Sequence, residues 1–107
     1  MRFCTYMNTQ HTITLAEAQI LTHAYQNSQL AISQPVSLSI PKSEIENLIS
    51  QSECSQLRMY FGLNELNKLT IVLIAADYNG NDITSGIILD RCDTCPVFCP
   101  PNPSPLM

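Results

Sequence analysis

Apolar residues recur at intervals of three and four from Leu15 through Ala18, Leu21, Ala24 and Tyr25, the spacing that lines one face of an α-helix. Thr14, with Glu17 three residues later, has capping-box spacing, in which two side chains satisfy backbone N–H groups left free at a helix start. A first helix is therefore expected from Leu15 until Asn27 and Ser28 end it. A polar linker follows to Gln34 and Pro35. Val36, Leu38 and Ile40 then alternate with serines, the period-two pattern of a short strand or extended segment that Pro41 stops. Ser43 and Glu46 repeat the capping-box spacing, and Ile45, Leu48 and Ile49 predict a second, shorter helix through about Gln51.

After Gln56 the period changes. Leu57, Met59, Phe61 and Leu63 fall on one face and Arg58 and Tyr60 on the other, which predicts a strand with one wet face. Asn64 to Lys68 is a polar turn. Leu69 to Ala76 is apolar on both faces and rich in Ile, Val and Leu, as a central strand is. Asn79-Gly80 is a strong hairpin signal of the type I′ kind, and Ile83 to Leu89 can return beside the central strand. The fold class is thus α+β: a three-stranded antiparallel meander, with Val36–Ile40 available as a fourth short strand, and both helices packed on one face. The 107 residues suit a single domain over 1–107, with one core. Within it, 1–13 is an N-terminal segment of undefined structure. Five of the seven prolines fall in a Cys/Pro-rich tail at 92–107, expected to be extended and irregular and to stay out of the sheet.

Composition narrows the functional classes. Charged residues make up only 13% of the chain against 45% hydrophobic, so much of the surface is neutral polar or is covered by a partner. The net charge is -4, and the five cations, Arg2, Lys42, Arg58, Lys68 and Arg91, are scattered. That argues against nucleic acid, whose phosphates call for a basic stripe, and against an anionic membrane surface. The longest apolar run, Leu69–Ala76, is far shorter than the ~20 residues that cross a bilayer. Asn8, Thr9, Gln10 and His11 interrupt the stretch where a secretory signal needs an apolar core. A cytoplasmic location follows as the expectation, and with it reduced thiols for the odd set of five cysteines.

The segment Gln56–Asp82 resembles a group of small uncharacterised bacterial proteins in its Arg58-Met59-Tyr60-Phe61-Gly62-Leu63, Leu69-Thr70-Ile71-Val72-Leu73 and Asn79-Gly80-Asn81-Asp82 stretches. The Cys95-Pro96-Val97-Phe98-Cys99-Pro100 end and the opening helix are similar to the same group. The resemblance implies a bacterial source and carries no catalytic residue.

Three patterns could carry chemistry. Cys92, Cys95 and Cys99 form C-x2-C-x3-C, three thiolates that a zinc ion could share with a fourth ligand from Cys4, Cys54, His11 or His23. Cys92 and Cys95 also read as a redox C-x-x-C, but that use depends on a helix start that the following prolines discourage. Asp77–Asp82 has the look of a calcium loop but lacks glycine and glutamate at the EF-hand positions, so a polar turn explains it. No Ser/His/Asp set, phosphate-cradling glycine loop or paired carboxylates can be assembled, since Glu44 and Glu46 stand on different helix faces. The expected function is a small non-enzymatic binding or assembly domain, self-associating as a homo-oligomer or meeting a protein partner. A zinc-stabilised domain built on Cys92, Cys95 and Cys99 is the alternative. Phe98 is expected to anchor the proline-rich tail by burial against the fold.

Overall fold

The computed structural model describes residues 11–90 and 92–107. Most of the N-terminal segment, with Cys4, and Arg91 lie outside the described residues.

The first helix, α1, runs Leu15–Gln26, and Thr14 Oγ1 accepts the Glu17 N–H at 3.1 Å as the cap requires. A single 3-10 turn at Gln29–Ala31 occupies the linker. It leads to a short strand, β1, Ser37–Ser39. The second helix, α2, covers Lys42–Ile49. It starts ahead of the Ser43–Glu46 capping pair: Pro41 occupies the cap position, and no side chain caps the helix start. Proline suits this junction because its φ is already set and a helix start has no use for its missing N–H.

The sheet is the predicted meander. Strand β2, Gln56–Leu63, pairs antiparallel along its whole length with β3, Leu69–Ala76, which in turn pairs with β4, Ile88–Leu89. The β2–β3 connection and the Asp77–Asn81 connection are built alike. In each, an Asx side chain opens the turn: Asn64 Oδ1 accepts from the N–H groups of Leu66 and Lys68, and Asp77 Oδ1 from those of Asn79 and Asn81. In each, the fourth residue, Asn67 or Gly80, has positive φ. This replaces the expected type I′ turn. Gly80 takes the left-handed position and Asn79 does not, giving a longer loop of the kind that closes on a bulge.

The return strand is also shorter than Ile83–Leu89. Asp82 bridges Ala76, and the Ile83 N–H donates to Ala75 O at 2.9 Å. The chain then leaves the sheet and rejoins it only at Ile88, opposite Ile74. Gln51 at the end of α2 accounts for the detour. Its Oε1 accepts the Ile87 N–H at 3.0 Å while its Nε2 donates to Leu48 O at 2.8 Å.

A second correction concerns the tail. Asp93–Cys95 forms a strand, β5, paired antiparallel with β1 through Ser37↔Cys95, Leu38↔Thr94 and Ser39↔Asp93. The fourth strand is therefore not an addition to the meander but half of a separate two-stranded sheet. The segment 92–95 precedes the first proline of the tail, so its backbone donors remain available for pairing.

The core lies where α2 crosses the meander. Leu48 is fully buried against Leu73 and Ala75, with Ile40, Ile45, Leu57, Ile71, Ile83 and Leu89 packed around them. The covering is unequal. Helix α1 contributes no buried residue, and Leu15, Ile20 and Leu21 remain exposed. It is held at its polar residues instead: Gln19, His23 and Gln26 meet the carbonyl oxygens of Pro105, Met107 and Leu106 at 2.9–3.2 Å, and the Tyr25 hydroxyl donates to Pro35 O at 3.0 Å.

Candidate functional site

Register places Leu57, Met59, Phe61 and Leu63 of β2 beside Ala75, Leu73, Ile71 and Leu69 of β3, so all eight stand on one sheet face. This is the face that α2 covers, but only at one end. Leu57, Leu73 and Ala75 belong to the core, whereas Met59 is 56% exposed, Phe61 82% and Leu63 64%. Alternation in the sequence identifies which residues share the face. It does not reveal that a helix of eight residues, about 12 Å long, is too short to roof a sheet whose strands of the same residue count span roughly twice that length.

The open end continues into a groove of about 360 Å³, walled by Tyr25, Val36 and Leu38 on one side and by Phe61, Leu69 and Ile71 on the other. Its position follows from the clamp that Gln34 makes between the β1 approach and the β2–β3 turn. Gln34 Oε1 accepts the Leu69 N–H at 2.6 Å, and its Nε2 donates to Asn67 O at 3.2 Å. Lys68 Nζ donates to Ser33 O across the same seam. A smaller, more polar cleft lined by Ser33, Asn64, Lys68 and Thr94 adjoins it.

The opposite sheet face carries a polar cluster. Arg58 Nη1 donates to Asp82 Oδ1 at 2.6 Å and to Gly80 O at 2.9 Å, and the Tyr60 hydroxyl donates to Asp82 Oδ2. These contacts hold the Asp82 carboxyl below its usual range, chiefly through the Tyr60 hydrogen bond and then through Arg58. They raise Tyr60 and Arg58, in both cases chiefly through the hydrogen bond to Asp82. The cluster ties β2 to the Gly80–Asp82 turn, and its groups are occupied with one another. Thr70 Oγ1 donates to Asp90 Oδ1 at 3.0 Å on the same face.

The cysteines of the tail do not converge on one point. Cys95 and Cys99 are joined by a disulfide, with Cα atoms 4.6 Å apart, while Cys54 and Cys92 are free. Reduced thiols were the expectation; the turn after β5 instead brings the fourth residue back within disulfide reach. Cys92 is carried away from Cys95 because three residues of extended chain span about 10 Å. It packs with Cys54 against the core cluster, and burial, followed by the nearby Asp90, pushes its thiol pKa up. Among the described residues no group of three or more His, Cys, Asp or Glu side chains is arranged to hold a metal ion. His23 contacts the Met107 carbonyl, and His11 is exposed. Cys4 lies outside the described residues.

Phe98 is not the buried anchor expected of it. It is 64% exposed and Val97 83%. The Phe98 N–H donates to Thr94 O at 2.8 Å and the disulfide closes the same loop, so the backbone turns back before the ring reaches the core. Cys95, 1% exposed, is the tail residue that enters the interior, and the carbonyls of residues 105–107 provide the second attachment at α1.

Among the described residues, no helix is long and apolar enough to cross a membrane. Compared with known proteins, the chain matches no family model, no curated protein sequence and no solved structure.

Proposed function

We propose that this chain is a small binding and assembly domain that self-associates through the open end of its apolar sheet face. The observation that carries the reading is the exposure of Met59, Phe61 and Leu63 on the same sheet face whose other end carries the buried core. Three large apolar side chains in a row, continuous with an apolar groove, form the kind of patch that isolated soluble domains seldom leave in water. Two further features favour a second copy. Strand β2 is the outer strand of its sheet among the described residues, and it contains neither proline nor lysine, two residues that commonly guard a sheet edge. Its one charge, Arg58, is already paired with Asp82, so two copies can approach along β2 without like-charge repulsion between free cations.

Sedimentation velocity at micromolar concentration tests this. The expected result is a concentration-dependent dimer that Phe61→Glu converts to monomer, because a carboxylate there must be desolvated against apolar surface. A wild-type chain that sediments as monomer at every concentration removes the reading.

A further inference from the structure

A cleft of about 340 Å³ lies on the seam between the two sheets. One wall comes from the approach to β1 and the end of β5, through Ser33, Pro35, Thr94 and Pro96, and the other from the β2–β3 turn, through Asn64, Leu66 and Lys68. Gln34 ties the walls together: its Oε1 accepts the Leu69 N–H at 2.6 Å and its Nε2 donates to Asn67 O at 3.2 Å. The described non-glycine residues with positive φ, Ser33 at 64° and Asn67 at 59°, stand at the two ends of this tie. Left-handed backbone at residues other than glycine persists where the surroundings impose it, and such positions gather at ligand sites. These bonds, with the rigid rings of Pro35 and Pro96, give the cleft fixed walls.

We infer that this cleft binds a small organic carboxylate, with the acid group at Lys68 and a compact apolar body against Pro35, Leu66 and Pro96. The inference does not depend on self-association. Its first support is charge. Among the described residues Lys42 is paired with Glu46 and Arg58 with Asp82, whereas Lys68 has no carboxylate partner and no acidic residue lines the cleft. The second support is the balance of donors and acceptors. The amide acceptors of the lining, Gln34 Oε1 and Asn64 Oδ1, are both engaged by backbone N–H groups. The Asn64 bonds also orient its amide, so that its Nδ2 is left as a donor with no partner among the described residues. Lys68 Nζ uses one of its three protons on Ser33 O, and the Ser33 hydroxyl has no partner among the described residues. What the cleft offers is thus one positive charge and a surplus of donors, which an acceptor-only carboxylate matches. A phosphate fits less well, because its sites add an arginine fork or a helix start, and the lining contains neither. The volume lies near the lower end of the range for small-molecule sites, which keeps the apolar body compact.

Titration of the full chain with benzoate, followed by the backbone amide signals in proton–nitrogen NMR spectra, tests the site. The net charge of -4 gives the molecule no general attraction for anions, so saturable binding reports the cleft. Benzoate is expected to saturate at millimolar concentration and to shift the amides of Ser33, Asn64, Leu66, Lys68 and Thr94. Benzamide, the neutral counterpart, and inorganic phosphate are expected to bind at least about tenfold more weakly. Lys68→Met, which removes the charge, and Leu66→Glu, which sets a carboxylate at the cleft, should each weaken benzoate by about tenfold or more. Leu66 is 76% exposed, so Leu66→Glu keeps the test decisive should Lys68→Met disturb the tie to Ser33. A peptide C-terminus carries the same acid group, and an N-acetylated dipeptide ending in phenylalanine distinguishes the two sources. Tighter binding of the dipeptide than of benzoate overturns the assignment to a small free acid. The inference also falls if benzoate gives no saturable shift, if benzamide or phosphate binds as tightly, or if benzoate binds Leu66→Glu as it binds the wild type.

Discussion

At the scale of single residues, the Arg58–Asp82–Tyr60 cluster makes stability depend on pH in a direction that can be worked out. Asp82 is held below its usual pKa in the fold, so the folded state binds fewer protons there than the unfolded chain does. Its contribution is present above the ordinary aspartate range and is lost as pH falls through the lowered folded value. Tyr60 is raised, so its contribution is present below the ordinary tyrosine range and is lost as pH rises through the folded value. Both groups are solvent-accessible, and the effect is correspondingly modest and screened by salt. Asp82→Asn should lower the urea midpoint at neutral pH and flatten its fall toward acid. An Asp82→Asn profile parallel to wild type between neutral and acid pH would show that the cluster contributes nothing to the linkage.

At the scale of elements, Gln51 and Gly86 decide how α2 meets the sheet. A Cβ on residue 86 would stand 1.9 Å from Gln51 Oε1, and that oxygen cannot simply swing away because it accepts the Ile87 N–H while the same side chain holds Leu48 O. Gly86→Ala should therefore cost about 1–3 kcal/mol, the range for leaving such a pair unmade, read as a lower denaturation midpoint with an unchanged m-value. Gly86 is needed for this close approach, whereas Gly80 is needed for its positive φ, with φ at 85°. The two Asx-opened turns belong to this scale too. Asn64 and Asp77 each satisfy two N–H groups with one oxygen, which fixes the turns at both ends of β3.

At the scale of the whole molecule, the chain is unevenly held. Leu73, Ile74, Ala75 and Ala76 of β3 and Leu48 of α2 are buried, while no α1 residue is more than partly buried and the helix is attached by hydrogen bonds to the last residues and to Pro35. Regions with few buried apolar contacts open at lower free energy than the core. Native-state hydrogen exchange should accordingly show the slowest amides in β3 and an α1 that exchanges through a separate, smaller opening. Leu48→Ala, which empties the centre of the core, should lower global stability by about 2–5 kcal/mol. It should reduce β3 protection by the same amount while leaving α1 protection largely unchanged. Equal loss of protection in both elements would show instead that α1 and the sheet unfold as one unit.

Local sequence signals were enough for several of the elements. The three- and four-residue spacing and Thr14 define α1, alternation defines β2, and a continuous apolar run between polar turns defines β3, both strands to the residue. The parity of β2 also assigns Met59, Phe61 and Leu63 to one face, because a strand's side-chain period depends only on its backbone. Whether that face is covered depends on how far α2 reaches, which no local pattern encodes, and the open end became visible only in the fold. The pairing of β5 with β1, the Cys95–Cys99 bond and the exposure of Phe98 were likewise decided in three dimensions. Cysteine and proline spacing describe what a tail can do in isolation, whereas its partner strand lies more than fifty residues earlier. The Phe98 N–H bonds the carbonyl of Thr94, itself held in β5 by its pairing with β1.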